Sequence, residues 1–133
     1  MEFYVEGSPK IKRFVESLLP SMLDQLKLTK SKKFLHIKLD RELEDLGTVV
    51  PLSGLDTYLV VLRPVKNLWE LGATLAHELT HVAQFAKGTL KVTRNGKKWN
   101  GKFYHRNYPY LQQPWEVQAF SKQEIIVRRA MEQ

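Results

Sequence analysis

The chain has no cysteine among its 133 residues. This absence excludes disulfide bonds, a thiol nucleophile and any zinc site with sulfur ligands, and it fits a reducing compartment. Long apolar runs are also missing, because no stretch approaches the roughly 20 residues that a membrane-spanning helix needs. The chain opens with Met1-Glu2-Phe3 and not with a basic segment followed by an apolar one, so no secretory signal is expected. We therefore expect a cytoplasmic, monomeric protein with no membrane partner.

Acidic residues are missing from one stretch, residues 88–108, which carries six Lys and Arg and most of the net charge of +7. Aromatic residues alternate with these basic ones. In one interpretation the basic side chains form a solvated face while the aromatic rings cover a neighbouring helix. In the other, the stretch is a mobile rim that contacts a substrate, an acidic partner or single-stranded nucleic acid through charge and stacking. Both interpretations stay open at this point.

Length and composition predict one ordinary globular domain over residues 1–133, with 43% apolar and 26% charged residues. Apolar periodicity predicts a helix over about 9–28, kinked or broken at Pro20. Alternating apolar residues predict strands over 34–39, 48–52 and 56–63. Short connections between these strands and a following helix favour an α+β fold, with a small, mostly antiparallel or mixed sheet packed on helices.

The most informative segment is residues 68–87. Asn67 is a good helix N-cap, with Glu70 at the reciprocal position of a capping box, and Gly88 suits the position just after a helix. A stripe of leucines along this helix predicts the face that packs on the core. The helix contains the motif His77-Glu78-Leu79-Thr80-His81, whose histidines lie roughly opposite the stripe and face a cleft.

Two histidines four residues apart on a helix point in the same direction, so His77 and His81 can hold one metal ion. Glu78 beside them can reach a water on the same ion. The alternative is that the motif occurs by chance on a solvent-exposed helix face, since H-E-x-x-H arises by chance in roughly one chain in a few hundred of this length. The helix signals around the motif favour the metal site.

The rest of the chain can supply a third ligand. Residues 89–93 and 97–104 read as the strands of a hairpin joined by an Asn95-Gly96 turn, and Pro114 begins a last helix that runs to about residue 130. Glu116 falls on the inward face of this helix, where a carboxylate is costly unless it is paired or bound to metal. The alternative is an exposed acid favoured by the helix dipole. Zinc with a His₂Glu ligand set is a known combination.

The segments HELTHVAQ (77–84) and PWEVQA (114–119) together resemble the small zincin metallopeptidases of gluzincin type, and especially short phage-encoded metallopeptidases. The resemblance covers about residues 68–120. It implies a minimal zincin-like α+β fold in which the sheet packs on an N-terminal helix, the HExxH helix and a C-terminal helix. It also implies Zn²⁺ held by His77, His81 and Glu116, with Glu78 as general base in the hydrolysis of a protein or peptide substrate.

Two other functions remain alternatives. One is a DNA-associated protease similar to the SprT-like family, whose third ligand is a histidine in a His-Gly context; the only counterpart, His105, is followed by Arg106. The other is a zinc-stabilised binding module without turnover. Candidate donors to a developing oxyanion are Tyr104, His105, Tyr108 and Tyr110, and we predict His105 and Tyr108 as the catalytic residues among them. Trp99, Lys102 and Tyr104 are candidates for substrate binding. Phe120 stands where many gluzincins carry the acid that orients a histidine, so that partner stays unassigned.

Overall fold

A computed structural model describes residues 1–132. Its strands and helices, in chain order, are β1 (Glu2–Glu6), α1 (Pro9–Gln25), β2 (Phe34–Leu39), β3 (Gly47–Leu52), β4 (Thr57–Leu62), α2 (Leu68–Ala86), β5 (Leu90–Thr93), β6 (Gly96–Trp99), β7 (Lys102–His105) and α3 (Pro114–Met131). The fold is α+β, as the sequence predicts. Short 3₁₀ turns over Ser53–Leu55 and Tyr110–Gln112 complete the regular structure.

The first four strands form one mixed sheet in the order β1-β2-β4-β3. β1 pairs with β2 and β2 pairs with β4 in parallel, whereas β3 runs antiparallel to β4 and forms an edge. On β2, Leu35 and Ile37 are buried while Lys38 is exposed, so one face of the sheet packs on the core. Pro51 lies on the edge strand β3, where a missing backbone N–H is tolerated.

Helix α2 is buried along the middle of its length. Ten consecutive residues, from Leu75 to Gln84, are buried, because the helix contacts the sheet through β3 and β4 and contacts both α1 and α3. At Gly72 an added Cβ would lie 2.7 Å from Val127 Cγ2, so glycine allows α3 to approach closely. The leucine stripe is therefore covered from Leu71 to Leu79, and α3 lies over part of the histidine side.

The last three strands form a separate antiparallel sheet in the order β5-β6-β7, called the meander below. The prediction of one continuous return strand over 97–104 is wrong, because Asn100 and Gly101 have φ values of 50° and 84° and make a second turn. The expected Asn95-Gly96 turn is confirmed, with Asn95 at φ 67°.

Several local predictions can be compared with this structure. The cap of α2 is confirmed: the Glu70 backbone N–H donates to Asn67 Oδ1 at 3.2 Å, and Gly88 follows the helix with φ 77°. The prediction of a break at Pro20 is wrong, since α1 runs uninterrupted past this residue, whose ring lies on the exposed face. Strand β1 was not predicted. Among residues 1–132, no helix combines the length and apolar character that crossing a bilayer requires.

Candidate metal centre

Three side chains converge at the contact between α2 and α3. The Nε2 atoms of His77 and His81 lie 2.8 and 3.0 Å from the same Glu116 oxygen, Oε1. His77 and His81 come from successive turns of α2, and Glu116 comes from the first turn of α3. All three are buried, with no more than a tenth of each side chain exposed. Glu116 lies on the inward face of the last helix, as the sequence predicts.

The protonation of His81 can be read from its neighbours. Gln84 Nε2 lies 3.1 Å from the Trp115 carbonyl oxygen, which can only accept a hydrogen bond, so the nitrogen of this carboxamide must face Trp115. Gln84 Oε1 consequently faces His81 Nδ1 at 2.8 Å and accepts a hydrogen bond from its N–H group. In neutral His81 the other ring nitrogen, Nε2, is then unprotonated, and its lone pair points at Glu116.

His77 is held in a similar way from the opposite helix. Its Nδ1 lies 2.7 Å from Gln123 Oε1 on α3, and the ring of Phe120 packs edge-on against it with centroids 4.5 Å apart. With Nδ1–H donating to Gln123, Nε2 of neutral His77 is also a lone pair directed at Glu116. Two glutamines therefore orient the two histidines, in place of the carboxylate that was absent at Phe120.

Two lone pairs facing one carboxylate oxygen repel each other unless positive charge lies between them. One source is protonation of both imidazoles, but their ring centroids are only 4.9 Å apart and two buried like charges at that distance disfavour each other. The other source is a divalent cation. Ligand atoms in a tetrahedral zinc site lie roughly 3.4 Å apart for bonds of about 2.1 Å, so the observed spacings need to widen by only about half an ångström. The three residues fit a zinc ion.

The environments of two carboxylates separate their roles. Burial alone raises the pKa of Glu116, but in the metal-free protein hydrogen bonds and charge from the protonated forms of His77 and His81 outweigh it and lower this pKa to about 2. Burial raises the pKa of Glu78, and the neighbouring histidines offset this only in part. Glu78 lies with its carboxylate within 4.8 Å of the ligand nitrogens of His77 and His81 but makes no hydrogen bond to them. Glu116 is thus suited to be an anionic ligand, and Glu78 is suited to exchange a proton.

The surroundings of His77 change its pKa in the metal-free protein. Burial lowers the pKa of His77, yet the hydrogen bonds to Glu116 and Gln123 and the charges of Glu78 and Glu116 outweigh it, so this pKa is raised. Burial, followed by the charge of Glu116, raises the pKa of Tyr110, whose hydroxyl donates to Glu116 Oε1 at 3.3 Å. Tyr110 therefore keeps its proton and stays a hydrogen-bond donor beside the centre.

The centre opens into a cleft of about 650 Å³. Its walls include the start of edge strand β3, the apolar rings of Phe85 and Phe120, and Lys97 of the meander. Gly47 at the start of β3 packs directly on Glu78: an added Cβ would lie 2.9 Å from Glu78 Cγ and 3.2 Å from Glu78 Oε2. This glycine leaves room for Glu78 to stand beside the histidines.

The structure brings only some of the other predicted site residues to this cleft. His105 and Tyr108 do not line it; His105 lies at the end of β7, and the ring of Tyr108 packs edge-on against Tyr104 at 5.0 Å between centroids. Trp99 and Lys102, proposed for substrate binding, form a cross-strand pair in the meander away from the cleft. Tyr104 contacts Trp115, which does line it, so it supports the wall from outside. Of the four oxyanion candidates, Tyr110 is the one that reaches the centre.

Three residues of the candidate centre were not predicted from the sequence: Gln84, Gln123 and Gly47. Gln84 lies three residues after His81, and Gln123 lies seven after Glu116 on the same helix face, so spacing could have indicated both as partners of the histidines. Gly47 carries no comparable signal, because its importance arises from the approach of β3 to α2.

Comparison of the chain with protein-family models, with curated proteins and with solved structures found no match. The resemblance to gluzincin-type peptidases therefore stays a prediction from two sequence motifs. In residues 1–132 the His77-Glu78-His81 group is the one cluster of His, Asp and Glu side chains spaced to hold a metal ion, and Glu116 completes it from the opposite helix.

Proposed function

We propose that this protein is a zinc-dependent peptidase, in which His77, His81 and Glu116 hold Zn²⁺ and Glu78 is the general base. The observation that carries the proposal is the convergence of two histidine Nε2 atoms on one Glu116 oxygen, at 2.8 and 3.0 Å, beneath an open cleft. The orientation of Gln84 supports it, because it leaves His81 Nε2 free to bind a metal.

The ligand set favours zinc over harder ions, since Mg²⁺ and Ca²⁺ prefer all-oxygen sites whereas zinc accepts two imidazoles and a carboxylate. Three protein ligands leave one coordination position for water or substrate, as in other catalytic zinc sites. A zinc ion held by these residues would supply Lewis acidity, which lowers the pKa of a coordinated water to about 7 and polarises a carbonyl group.

Proton transfer falls to Glu78. Its pKa is raised by burial, which brings its basicity closer to neutral pH and makes both acceptance and return of a proton easy. Glu78 accepts the proton of the attacking water and then gives it to the leaving amine, so that it ends the cycle ionised. The lack of a side chain at Gly47 leaves the space in which Glu78 stands beside the histidines.

Tyr110 supplies a second group at the centre. Its hydroxyl is protonated and already directed toward Glu116 Oε1, at 3.3 Å. A small rotation would let the same hydroxyl donate to the oxygen of a tetrahedral adduct, where charge develops during peptide hydrolysis. We assign the oxyanion-stabilising role to Tyr110 because His105 and Tyr108 lie outside the cleft.

The shape of the cleft suits an extended polypeptide. β3 is an edge strand, and its residues Gly47, Thr48 and Val49 line the cleft beside Glu78. An edge strand presents unpaired backbone N–H and C=O groups, which can pair with a substrate segment as an added strand. Such pairing would lay a peptide bond across the metal centre through backbone contacts alone, whatever side chains flank that bond.

The test is cleavage of a broad peptide library, prepared by digesting a denatured proteome and analysed by mass spectrometry. Wild-type protein loaded with zinc should generate new termini, and Glu78→Gln should generate at least 100-fold fewer while holding the same zinc. Equal cleavage by both proteins would overturn the role of Glu78. No cleavage by wild type would overturn the peptidase and leave a zinc-stabilised binding module.

A second candidate, a DNA-associated protease, has one supporting observation. On the outer face of the meander, Lys91, Lys98 and Phe103 form a cross-strand row, all three are exposed, and no acidic residue lies in residues 88–108. Basic groups beside an exposed ring suit single-stranded nucleic acid. A salt-sensitive gel shift with single-stranded DNA, lost in Lys91→Gln/Lys98→Gln but kept in the control Lys122→Gln on α3, would favour this candidate. Absence of any shift in wild type would remove it.

A further inference from the structure

A second, smaller cavity lies between the meander and the start of α3. Its volume is about 270 Å³. The residues that line it are Asn95, Gly96, Lys97, Tyr104, His105, Arg106, Gln113 and Trp115. Tyr104 and Lys97 are cross-strand partners that both face Trp115, with the Lys97 Nζ atom 5.4 Å from the indole centroid.

The charge of this cavity is of one sign. Lys97, Arg106 and His105 line it, and no carboxylate does. Throughout residues 1–132, neither Lys97 nor Arg106 forms an ion pair. His105 Nδ1 accepts a hydrogen bond from the Asn107 backbone N–H at 3.2 Å, so its Nε2 carries the proton and is a donor in either charge state. Lys97 and Arg106 bring positive charge and His105 brings a hydrogen-bond donor, and no carboxylate lines the cavity to pair with them.

The cavity adjoins the proposed metal centre. Lys97 and Trp115 line both this cavity and the larger cleft, and Trp115 directly precedes Glu116 in the first turn of α3. The larger cleft differs in character, since Asp45, Glu78 and Glu116 line it. A substrate that spans both cavities therefore passes from the proposed metal centre to a region lined only by basic and uncharged groups.

We infer that the smaller cavity is a substrate subsite for an anionic side chain, the carboxylate of Asp or Glu or the phosphate of a phosphorylated residue. This inference rests on the proposed peptidase function and specifies its substrate class. A carboxylate in the cavity would accept hydrogen bonds from Arg106 and His105. Hydrogen bonds to an ionised group are roughly twice as strong as hydrogen bonds between neutral groups. The peptidase would then prefer an acidic residue at one fixed position a few residues from the scissile bond.

The test uses the cleavage library with four variants. Arg106→Gln and Lys97→Gln each remove one charge from the cavity. Their matched controls, Arg94→Gln and Lys98→Gln, each remove one charge from the same meander at exposed positions that do not line it. Zinc content and melting temperature are measured for all four, and a peptide cut well by wild type is then compared in Glu, Gln and phosphoserine versions.

Wild type should cut the Glu peptide about tenfold faster than the Gln peptide in kcat/KM, because a charged hydrogen bond contributes roughly that factor. The ratio should fall to about two in Arg106→Gln and stay near ten in Arg94→Gln, with zinc content unchanged in both. A phosphoserine peptide that outperforms Glu would assign the subsite to phosphate. Wild-type cleavage without acidic preference, or equal losses in test and control variants, would overturn the subsite while leaving the peptidase intact. No cleavage at all would overturn both.

Discussion

Replacing Gln84 tests whether the structure orients His81 for metal binding. In Gln84→Met the side chain keeps its length and apolar volume but loses three hydrogen bonds, to His81 Nδ1, to the Trp115 carbonyl and to Gln118 Oε1. His81 Nδ1–H is then buried without an acceptor. Neutral His81 can exchange tautomers, which places the proton on Nε2 and blocks the nitrogen that faces Glu116.

The size of the effect follows from one unsatisfied buried donor. Leaving such a group without a partner costs about 1–3 kcal/mol, and loss of a partner that orients a metal-bound histidine weakens metal affinity by roughly 10–100-fold. We expect the zinc dissociation constant of Gln84→Met to rise within that range. Gln84→Glu keeps an acceptor for His81 but places an oxygen against the Trp115 carbonyl, so its zinc affinity should stay within about tenfold of wild type while the apoprotein loses stability.

Zinc affinity can be measured by competition with a chromophoric chelator, and the protonated nitrogen of His81 by ¹⁵N chemical shifts in the apoprotein. Gln118→Met is the matched control, because it removes one hydrogen bond to Gln84 without touching the bond to His81. Its zinc affinity should change by less than about threefold. A Gln84→Met variant that folds and binds zinc as tightly as wild type would refute the reasoning.

Three further changes probe other parts of the centre. Gly47→Ala puts a methyl group against Glu78, so kcat should fall about tenfold or more while zinc content is unchanged; kinetics and elemental analysis check this. Tyr110→Phe should lower kcat by about 100-fold with little change in KM, if its hydroxyl stabilises the oxyanion. The pKa of Glu116 is depressed to about 2, so its ionised carboxylate stabilises the folded apoprotein. This stabilisation is fully present above pH 4.5, the ordinary pKa of the group, and is lost as the pH falls toward 2. At most about 3 kcal/mol should disappear, measured by denaturant unfolding, and Glu116→Gln should not show this loss.

Much of the fold could be predicted because local signals agreed with the tertiary structure. The Asn67 cap, the leucine stripe and Gly88 each mark α2, and its observed bounds of Leu68–Ala86 follow them closely. The second turn of the meander was missed although Asn100-Gly101 repeats the Asn-Gly signal of the first turn. β1 was missed although Phe3, Tyr4 and Val5 favour a strand, because the segment is only five residues long and its parallel pairing with β2 depends on how α1 crosses the sheet.

The residues of the candidate site also differ in how far the sequence alone could predict them. His77, Glu78 and His81 are fixed by helical spacing within five residues, so the sequence alone places them together. Glu116 could be indicated as an inward-facing acid, but its meeting with both histidines depends on how α3 crosses α2. The assignment of His105 and Tyr108 could not be settled from the sequence, because which aromatic residue reaches the cleft depends on the path of the chain between β7 and α3.

The presence of zinc can be measured by elemental analysis of protein purified without added metal or chelator, with Glu116→Ala and His77→Ala analysed alongside. Wild type should contain one zinc per chain, His77→Ala should contain almost none, and Glu116→Ala should bind it at least about tenfold more weakly in chelator competition. Wild type without zinc that also fails to take it up on titration, or equal zinc in all three proteins, would contradict a metal centre built from these residues.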